Sequence, residues 1–253
     1  MLKLERDGAV GHLTMDNPPA NVWDEDSLAE LRDLFASLQG EAGLAAVILT
    51  GAGERFFSAG ADLKVFAAAD AGGAVRMAGL FGEAFEALAG FSGVSIAAIN
   101  GFAMGGGLEA ALACDIRIAC PEAKLGLPEA KVGLLPCGGG TQALPALIGE
   151  GWAKRMILCG ETVDAETAER IGLIQEVVPR DELLVRAGEL AAGAAAQSPT
   201  SLRHCKRLVE LGRQVPRDSA LAQEREAFVK LWRDDNRREG CEAFLEKRPP
   251  KWK

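Results

Sequence analysis

Two glutamates lie singly in apolar stretches of the sequence, each beside glycine. Glu109 follows three glycines in GFAMGGGLEAALAC, and Glu129 lies in GLPEAKVG. Burying a carboxylate among apolar groups costs free energy, so each glutamate is expected to have a hydrogen-bond or charge partner, or a role in function. One structural explanation is that Glu109 caps its own helix. The alternative is general acid–base work by both carboxylates on one substrate, and their shared setting favours this pairing.

The glycines at residues 105–107 stand where an apolar run passes into a helical pattern. A tight, closely packed turn would explain them. Glycines at a helix N-terminus also leave backbone N–H groups exposed at the positive end of the helix dipole, which suits an anion. No GxxxxGK[ST] follows, so a phosphate-binding P-loop is excluded, and GAGERF lacks the third glycine of a dinucleotide motif. The remaining use is an oxyanion hole, for which FFSAGADLK could supply a second donor.

Composition narrows the class of protein. The 253 residues are 48% hydrophobic and 25% charged, as in an ordinary globular protein. The net charge of −8 disfavours a nucleic-acid partner. Six cysteines without a C-x-x-C pair, and only His12 and His204, argue against a metal site. The first residues lack a signal-peptide pattern, and no apolar run is long enough to span a bilayer, so we expect a cytoplasmic protein without membrane association.

Strand and helix patterns alternate through the first two-thirds of the chain. A hairpin is predicted around Asp7 and Gly8, and AAVILTG, SIAAING and DIRIAC read as buried strands. DEDSLAELRDLFASLQ and GGLEAALAC read as helices, whereas ERFFSAGADL reads as a loop. This alternation predicts an α/β fold of stacked β-β-α units.

The later helices carry less distinct signals. Helical spacing runs over residues 65–88, with Gly72 and Gly73 as a break. KLGLPEAKVGLLPCGGGTQALPALIG mixes a strand, a short helix and a glycine-rich turn. Helices are predicted over 151–158, 165–171 and 181–196, and from Pro199 onwards the pattern is wholly helical.

Four stretches together resemble the crotonase family, the enoyl-CoA hydratase/isomerase superfamily. They are FFSAGADLK, GFAMGGGLEAALACDIRIA, LGLPEAKVGLLPCGGGTQALPALIG and EREAFVKLWRDDNRREGCEAFLEKR, in the family's order and spacing. The resemblance implies a crotonase-like spiral of β-β-α units over residues 1–197 and a helical C-terminal region over 198–253. It also implies trimers or hexamers that bind an acyl-CoA thioester and need no cofactor apart from the coenzyme A of the substrate. The fold hosts several reactions, so the resemblance specifies the reaction less sharply.

By position, the resemblance assigns the two oxyanion donors to the backbone N–H groups of Ala61 and Gly106. Glycine at 106 would let its N–H approach the thioester oxygen. Glu109 and Glu129 match the two glutamates of enoyl-CoA hydratases, with Glu109 similar to the residue that activates water and Glu129 to the proton donor. We expect the apolar flanks of Glu129 to raise its pKa.

The same resemblance implies a set of substrate contacts. The backbone of residues 61–64 would meet the coenzyme A, with Lys64 near the phosphates. Phe244 and Lys247 would close on the nucleotide end of the coenzyme A. The alternative for these two residues is a solvated tail without a binding role. In full, the residues expected to bind substrate are Ala61, Asp62, Leu63, Lys64, Gly106, Cys137, Phe244 and Lys247.

Two positions depart from the family pattern. Cys137 stands where hydratases more often carry glycine, and with no histidine near in sequence we interpret it as a packing residue. Trp23, in the first loop, is bulkier than usual. Residues around Met77, Leu80, Phe81 and Phe85 are expected to wall the acyl site.

The leading hypothesis is therefore an enoyl-CoA hydratase. The alternatives are an enoyl-CoA isomerase or specialised acyl-CoA dehydratase of the same fold, and a non-catalytic RNA-binding relative. The RNA-binding alternative is disfavoured because the chain retains both glutamates and has an acidic net charge.

Overall fold

The computed structural model of the chain describes residues 1–41 and 43–253. The chain forms two compact units, Met1–Ala191 and Ala192–Lys253. The fold is mixed α/β, as the sequence predicts. No helix in the described part of the chain is both long and apolar enough to cross a bilayer.

A six-stranded sheet forms one layer of the first unit. Its order is β1-β2-β3-β5-β7-β10, with β1 and β2 antiparallel and the other pairs parallel. The predicted hairpin is present, with Asp7 opposite Val10. The strands are β1 (Leu2–Asp7), β2 (Val10–Met15), β3 (Ala46–Gly51), β5 (Val94–Ile99), β7 (Ile116–Ala119) and β10 (Glu176–Val177).

A second, smaller sheet has the order β4-β6-β8-β9. Its strands are β4 (Phe56–Ser58), β6 (Phe102–Met104), β8 (Lys124–Gly126) and β9 (Val163–Asp164). The first three are parallel neighbours. From β3 to β8, the first strand of each successive pair joins the large sheet and the second joins the small one, so these pairs stack by one strand in both sheets. The first pair, β1 and β2, lies wholly in the large sheet. The predicted loop over 54–63 is wrong in part, because it contains β4.

The helices of the first unit cover the apolar faces of the sheets. They are α1 (Glu25–Leu38), α2 (Leu63–Ala68), α3 (Ala71–Ala89), α4 (Gly106–Ala113), α5 (Gly140–Leu158) and α6 (Ala165–Arg170), with a 3-10 turn at Glu129–Val132. Helix α1 packs on α3, and α4 packs on both α3 and α5. Asp24 caps α1, accepting a 2.8 Å bond from the N–H of Ser27, and Glu25 and Asp26 fill the acidic first turn.

One helix prediction needs correction. The break predicted at Gly72 and Gly73 lies earlier, because Asp70 caps α3 by accepting a 2.8 Å bond from the N–H of Gly73. The helix predicted over 151–158 is present as the second half of α5. Gly149, with φ 75° and ψ 158°, is not helical and separates it from the first half, which begins at Gly140.

Helix α7 (Leu183–Ala195) spans the point where the two compact units divide, and the predicted boundary after residue 197 stays a prediction. The second unit is otherwise helical: α8 (Pro199–Leu211), α9 (Arg217–Leu231) and α10 (Asp235–Glu246). Helix α8 packs on α9, and the Trp252 indole N–H donates to the carbonyl of Ala196 at 2.9 Å. Large apolar side chains stay exposed in this unit, among them Phe228, Trp232, Phe244 and Leu245.

Candidate active site

The small sheet explains how distant parts of the sequence meet. Strands β4, β6 and β8 run parallel and side by side, so their carboxyl ends lie along one edge. The segments that leave this edge are residues 59–62, residues 105–109 and residues 127–129. These segments carry the predicted donors and both glutamates. A crevice outside the carboxyl ends of parallel strands is a common place for a ligand.

A cavity of about 840 Å³ lies at this edge, lined mainly by apolar atoms. Of the residues predicted to act on or bind a substrate, those on its wall are Ala61, Asp62, Leu63, Gly106, Glu109, Glu129 and Cys137. Lys64 is exposed and lies beside the cavity wall, not in it. Phe244 and Lys247 belong to the second compact unit, so their contact with a substrate stays a prediction.

Two backbone N–H groups on the cavity wall have no protein acceptor. In the part of the chain that the structure describes, neither Ala61 nor Gly106 donates its amide to a backbone or side-chain oxygen. Gly106 is the first residue of α4, where helix geometry leaves the amide without an intrahelical partner. The cavity therefore receives two unpaired donors from neighbouring strand ends.

Gly60 allows these two donors to come together. Its φ of +89° favours glycine, and a Cβ there would lie 2.6 Å from the carbonyl oxygen of Met104 and 3.1 Å from the nitrogen of Gly106. The two turns thus touch at a place where only glycine fits.

Packing also requires glycine at 106. A Cβ on Gly106 would lie 2.7 Å from the ring of Phe81 and 3.4 Å from the ring of Trp23. The absence of a side chain therefore admits the neighbouring aromatic rings, a reason additional to the predicted approach of a substrate oxygen.

Glu109 is buried, with 2% of its surface exposed, and it is held by the start of the next helix. Its Oε1 accepts hydrogen bonds of 2.8 Å from the N–H groups of Gly138 and Gly140. The N-cap of its own helix is Gly105, so the hypothesis that Glu109 caps its own helix is wrong. Burial raises the pKa of Glu109, while the N–H groups of Gly140, Gly138 and Cys137 act in the opposite direction by stabilising the carboxylate.

Glu129 has a different environment. Both of its carboxyl oxygens are buried, and neither has a hydrogen-bond partner among the described residues. Burial is the main cause that raises its pKa to about 7, and the charge of Glu109 adds to the shift. The direction agrees with the prediction from its apolar flanks. Burial thus raises the pKa of both carboxyl groups. At Glu109 the amide hydrogen bonds oppose the shift, whereas Glu129 gains a proton near neutral pH.

Cys137 lies half-buried on the same wall. Burial, followed by the charges of Glu109 and Glu129, raises the pKa of its thiol to about 11. Since the thiolate is the nucleophilic form, this cysteine stays unreactive at neutral pH. The environment agrees with a packing role and argues against covalent catalysis.

Helix α3 forms a further wall, and of the residues predicted there Phe81 lines the cavity. Ala74, Ala78 and Phe81 line the cavity, at a spacing that places them on one side of the helix. Met77 and Phe85 are instead in the core, and Leu80 is not on the wall. The two alanines were missed because small residues carry little periodic signal.

The chain matches a known family model and is similar to known proteins over nearly its whole length. The model of the enoyl-CoA hydratase/isomerase family matches residues 5–253. The short-chain-enoyl-CoA hydratase of Clostridium acetobutylicum is 38% identical, covering 97% of this chain and 94% of that protein.

Two solved structures are similar over the whole chain. A structure of Pseudomonas aeruginosa DspI is 57% identical with a TM-score of 0.97, covering 100% of this chain and 96% of that one. The enoyl-CoA hydratase of Bacillus anthracis is 37% identical with a TM-score of 0.96, covering 100% of this chain and 98% of that one.

Proposed function

Because the chain belongs to the enoyl-CoA hydratase/isomerase family, we propose that it adds water across the 2,3 double bond of a 2-enoyl-CoA. The product would be a 3-hydroxyacyl-CoA. The observation that carries this proposal is a pair of carboxyl groups in one cavity with different surroundings. Glu109 accepts two amide hydrogen bonds, whereas Glu129 has no hydrogen-bond partner among the described residues, and the amides of Ala61 and Gly106 lie on the same wall.

Hydration needs a base and an acid on one face of the double bond. Glu109 suits the base, because amide hydrogen bonds stabilise its carboxylate and fix one oxygen. Glu129 suits the acid, because a pKa of about 7 keeps about half of it protonated at neutral pH.

In the proposed reaction, Glu109 removes a proton from water, and the water oxygen bonds to the β-carbon of the enoyl group. The electrons of the double bond move onto the thioester oxygen and form an enolate. Glu129 gives its proton to the α-carbon, and the thioester carbonyl returns. A proton passed from Glu109 to Glu129 restores the starting state.

The N–H groups of Ala61 and Gly106 would stabilise the enolate oxygen. They help because charge on that oxygen is greater in the transition state than in the substrate. Loss of one such donor typically costs about 3–4 kcal/mol of barrier stabilisation. Two features support this role: neither amide has a protein acceptor among the described residues, and both stand at adjacent strand ends.

The remaining parts of the proposal concern binding and assembly. The backbone at Ala61, Asp62 and Leu63 would hold the coenzyme A, with Lys64 near its phosphates. Phe244 and Lys247 would close on the nucleotide end from the same or a neighbouring subunit. The exposed apolar side chains of the second unit support assembly into a homotrimer or a hexamer of two trimers.

One observation favours double-bond isomerisation as a second candidate. Glu129 is free of hydrogen-bond partners in the described part of the chain and titrates near neutrality. Such a group could move a proton between two carbons of the acyl chain without a water molecule.

The test is a panel of 2-enoyl-CoA and 3-enoyl-CoA thioesters, with the conjugated enoyl thioester followed by its ultraviolet absorbance. Hydration predicts loss of absorbance from the 2-enoyl substrates. Glu109→Gln should lower this activity by about two orders of magnitude, with little change in KM. Conversion of 3-enoyl to 2-enoyl thioesters without hydration would reject the hydratase proposal and favour the isomerase.

A further inference from the structure

Trp23 is a large buried residue that lies next to the cavity without lining it. Its side chain is 2% exposed, and it precedes α1 directly, beside the cap residue Asp24. The indole N–H has no hydrogen-bond partner in the described part of the chain. The ring therefore contributes shape and apolar contact at this place.

The backbone of Trp23 holds the segment that carries one donor. Trp23 and Ala61 form a parallel bridge. The N–H of Trp23 donates to the carbonyl of Gly60 at 2.8 Å, and its carbonyl accepts from the N–H of Asp62 at 2.9 Å. Both bonds to Trp23 come from the residues that flank Ala61, so the polar groups of Ala61 itself are not used in the bridge.

This pairing sets the direction of the Ala61 amide. In a trans peptide the C=O and N–H point to opposite sides of the chain. The carbonyl of Gly60 points to Trp23, so the N–H of Ala61, in the same peptide unit, points away from it. That N–H is left to the cavity, which Ala61 lines.

The ring of Trp23 holds the second donor. It stands 3.4 Å from the place that a Cβ on Gly106 would occupy. It also meets the ring of Phe85 edge-on, with centroids 5.7 Å apart. Phe85 packs in turn against Gly138, whose amide holds Glu109.

We propose that Trp23 is a positioning residue that holds the Ala61 and Gly106 amides in the relative placement that an enolate oxygen needs. Its backbone orients one amide and its ring supports the other, so one residue sets the separation of the two donors. The inference rests on the proposed function, because it concerns the oxyanion donors of that reaction.

The first measurement compares Trp23→Ala, Trp23→Leu and Trp23→Phe with the wild type. A donor displaced by about 1 Å costs up to about 100-fold, so we expect Trp23→Ala to lower kcat about 10- to 100-fold. KM should stay within about threefold, since the substrate is less charged than the enolate. The kcat of Trp23→Leu should lie between those of Trp23→Ala and the wild type. Trp23→Phe should retain activity within about threefold, because the indole N–H has no partner among the described residues.

Phe35→Ala is the matched control. Phe35 is fully buried in the same unit and makes an equivalent edge contact with Phe91, at 5.8 Å. It should lose stability to a similar degree but keep its kcat. Unchanged kcat in folded Trp23→Ala or Trp23→Leu, or an equal loss in Phe35→Ala, would overturn the proposal.

The second measurement does not require turnover. Acetoacetyl-CoA forms an enolate with its own ultraviolet absorbance, so the pH at which half of the bound thioester is enolate reports on the donors. Trp23→Ala should raise this midpoint by about one to two pH units, the equivalent of the kcat loss, and Trp23→Phe should leave it unchanged. An equal midpoint in wild type and Trp23→Ala would reject the role of Trp23.

The two proposals fail in distinguishable ways. A wild type that stabilises the enolate but hydrates no substrate would reject the hydratase proposal. The role of Trp23 would still be tested by comparing the enolate midpoints of the wild type and Trp23→Ala. A wild type that binds acetoacetyl-CoA without lowering the midpoint would reject both the donors and the role of Trp23.

Discussion

The proton on Glu129 should determine how activity falls at high pH. Its pKa of about 7 compares with an ordinary value of 4.5, and burial is the main cause. At pH 7 about half of Glu129 is protonated, whereas an unshifted carboxyl group would be about 0.3% protonated. If the protonated form is the acid of the reaction, kcat/KM should fall about fivefold from pH 7 to pH 8 and about ninefold from pH 8 to pH 9, about 50-fold in total.

The assay is hydration of but-2-enoyl-CoA at low substrate concentration in overlapping buffers. Because the two glutamates interact, the acidic and basic limbs of the pH profile report apparent pKa values of the pair of glutamates, not of either residue alone. The acidic limb should lie above pH 4.5, since burial also raises the pKa of Glu109. Glu129→Gln is the control and should show a small residual rate without the basic limb. A wild-type profile that stays flat to pH 9 would show that Glu129 is not the proton donor.

Three further predictions concern the donors, stability and assembly. Ala61→Pro removes an N–H that has no protein acceptor, so a folded variant by circular dichroism should lose most activity; full activity would exclude this donor. The raised pKa of Glu129 makes the folded state bind more protons than the unfolded state between pH 4.5 and 7, so stability falls as pH rises through this window. Glu129→Gln should therefore gain about 1–2 kcal/mol above pH 7, after allowance for solvent screening, and nothing below pH 4.5; a thermal melt that gains equally at both pH values would contradict the account. Sedimentation should give a trimer or hexamer, and a monomer at micromolar concentration would contradict assembly through the second unit.

Strands β3 and β5 were predictable from sequence because each is an apolar run that ends near a glycine, Gly51 and Gly101 respectively. The small sheet was harder, since β4 and β6 have three residues each and show no period. These short strands nevertheless position the segments that carry the two amides and the two glutamates of the site.

Helix ends were decided by local contacts that composition does not reveal. Asp70 starts α3 by capping Gly73, although the two glycines that follow look like a break. Gly73 is tolerated there because a Cβ would lie 2.9 Å from that of Ala69. Helix α5 was partly missed since Pro145 and Gly149 lie within it.

The candidate site was predictable in its residues but not in its connections. Glu109 and Glu129 were singled out by their apolar neighbours. The amides that hold Glu109 come from residues 29 and 31 positions away, a distance that only the stacking of α4 on α5 brings together. Likewise, nothing in NPPANVWD indicates that Trp23 would pair with Ala61.

Isotope incorporation tests the central claim most directly. The wild type is incubated with but-2-enoyl-CoA, once in water enriched in oxygen-18 and once in deuterium oxide, and the product is analysed by mass spectrometry. Hydration through Glu109 and Glu129 predicts a 3-hydroxybutyryl-CoA with oxygen-18 on the β-carbon and one deuterium on the α-carbon. Deuterium in the acyl chain of recovered enoyl thioester, without oxygen-18 in any product, would contradict hydration.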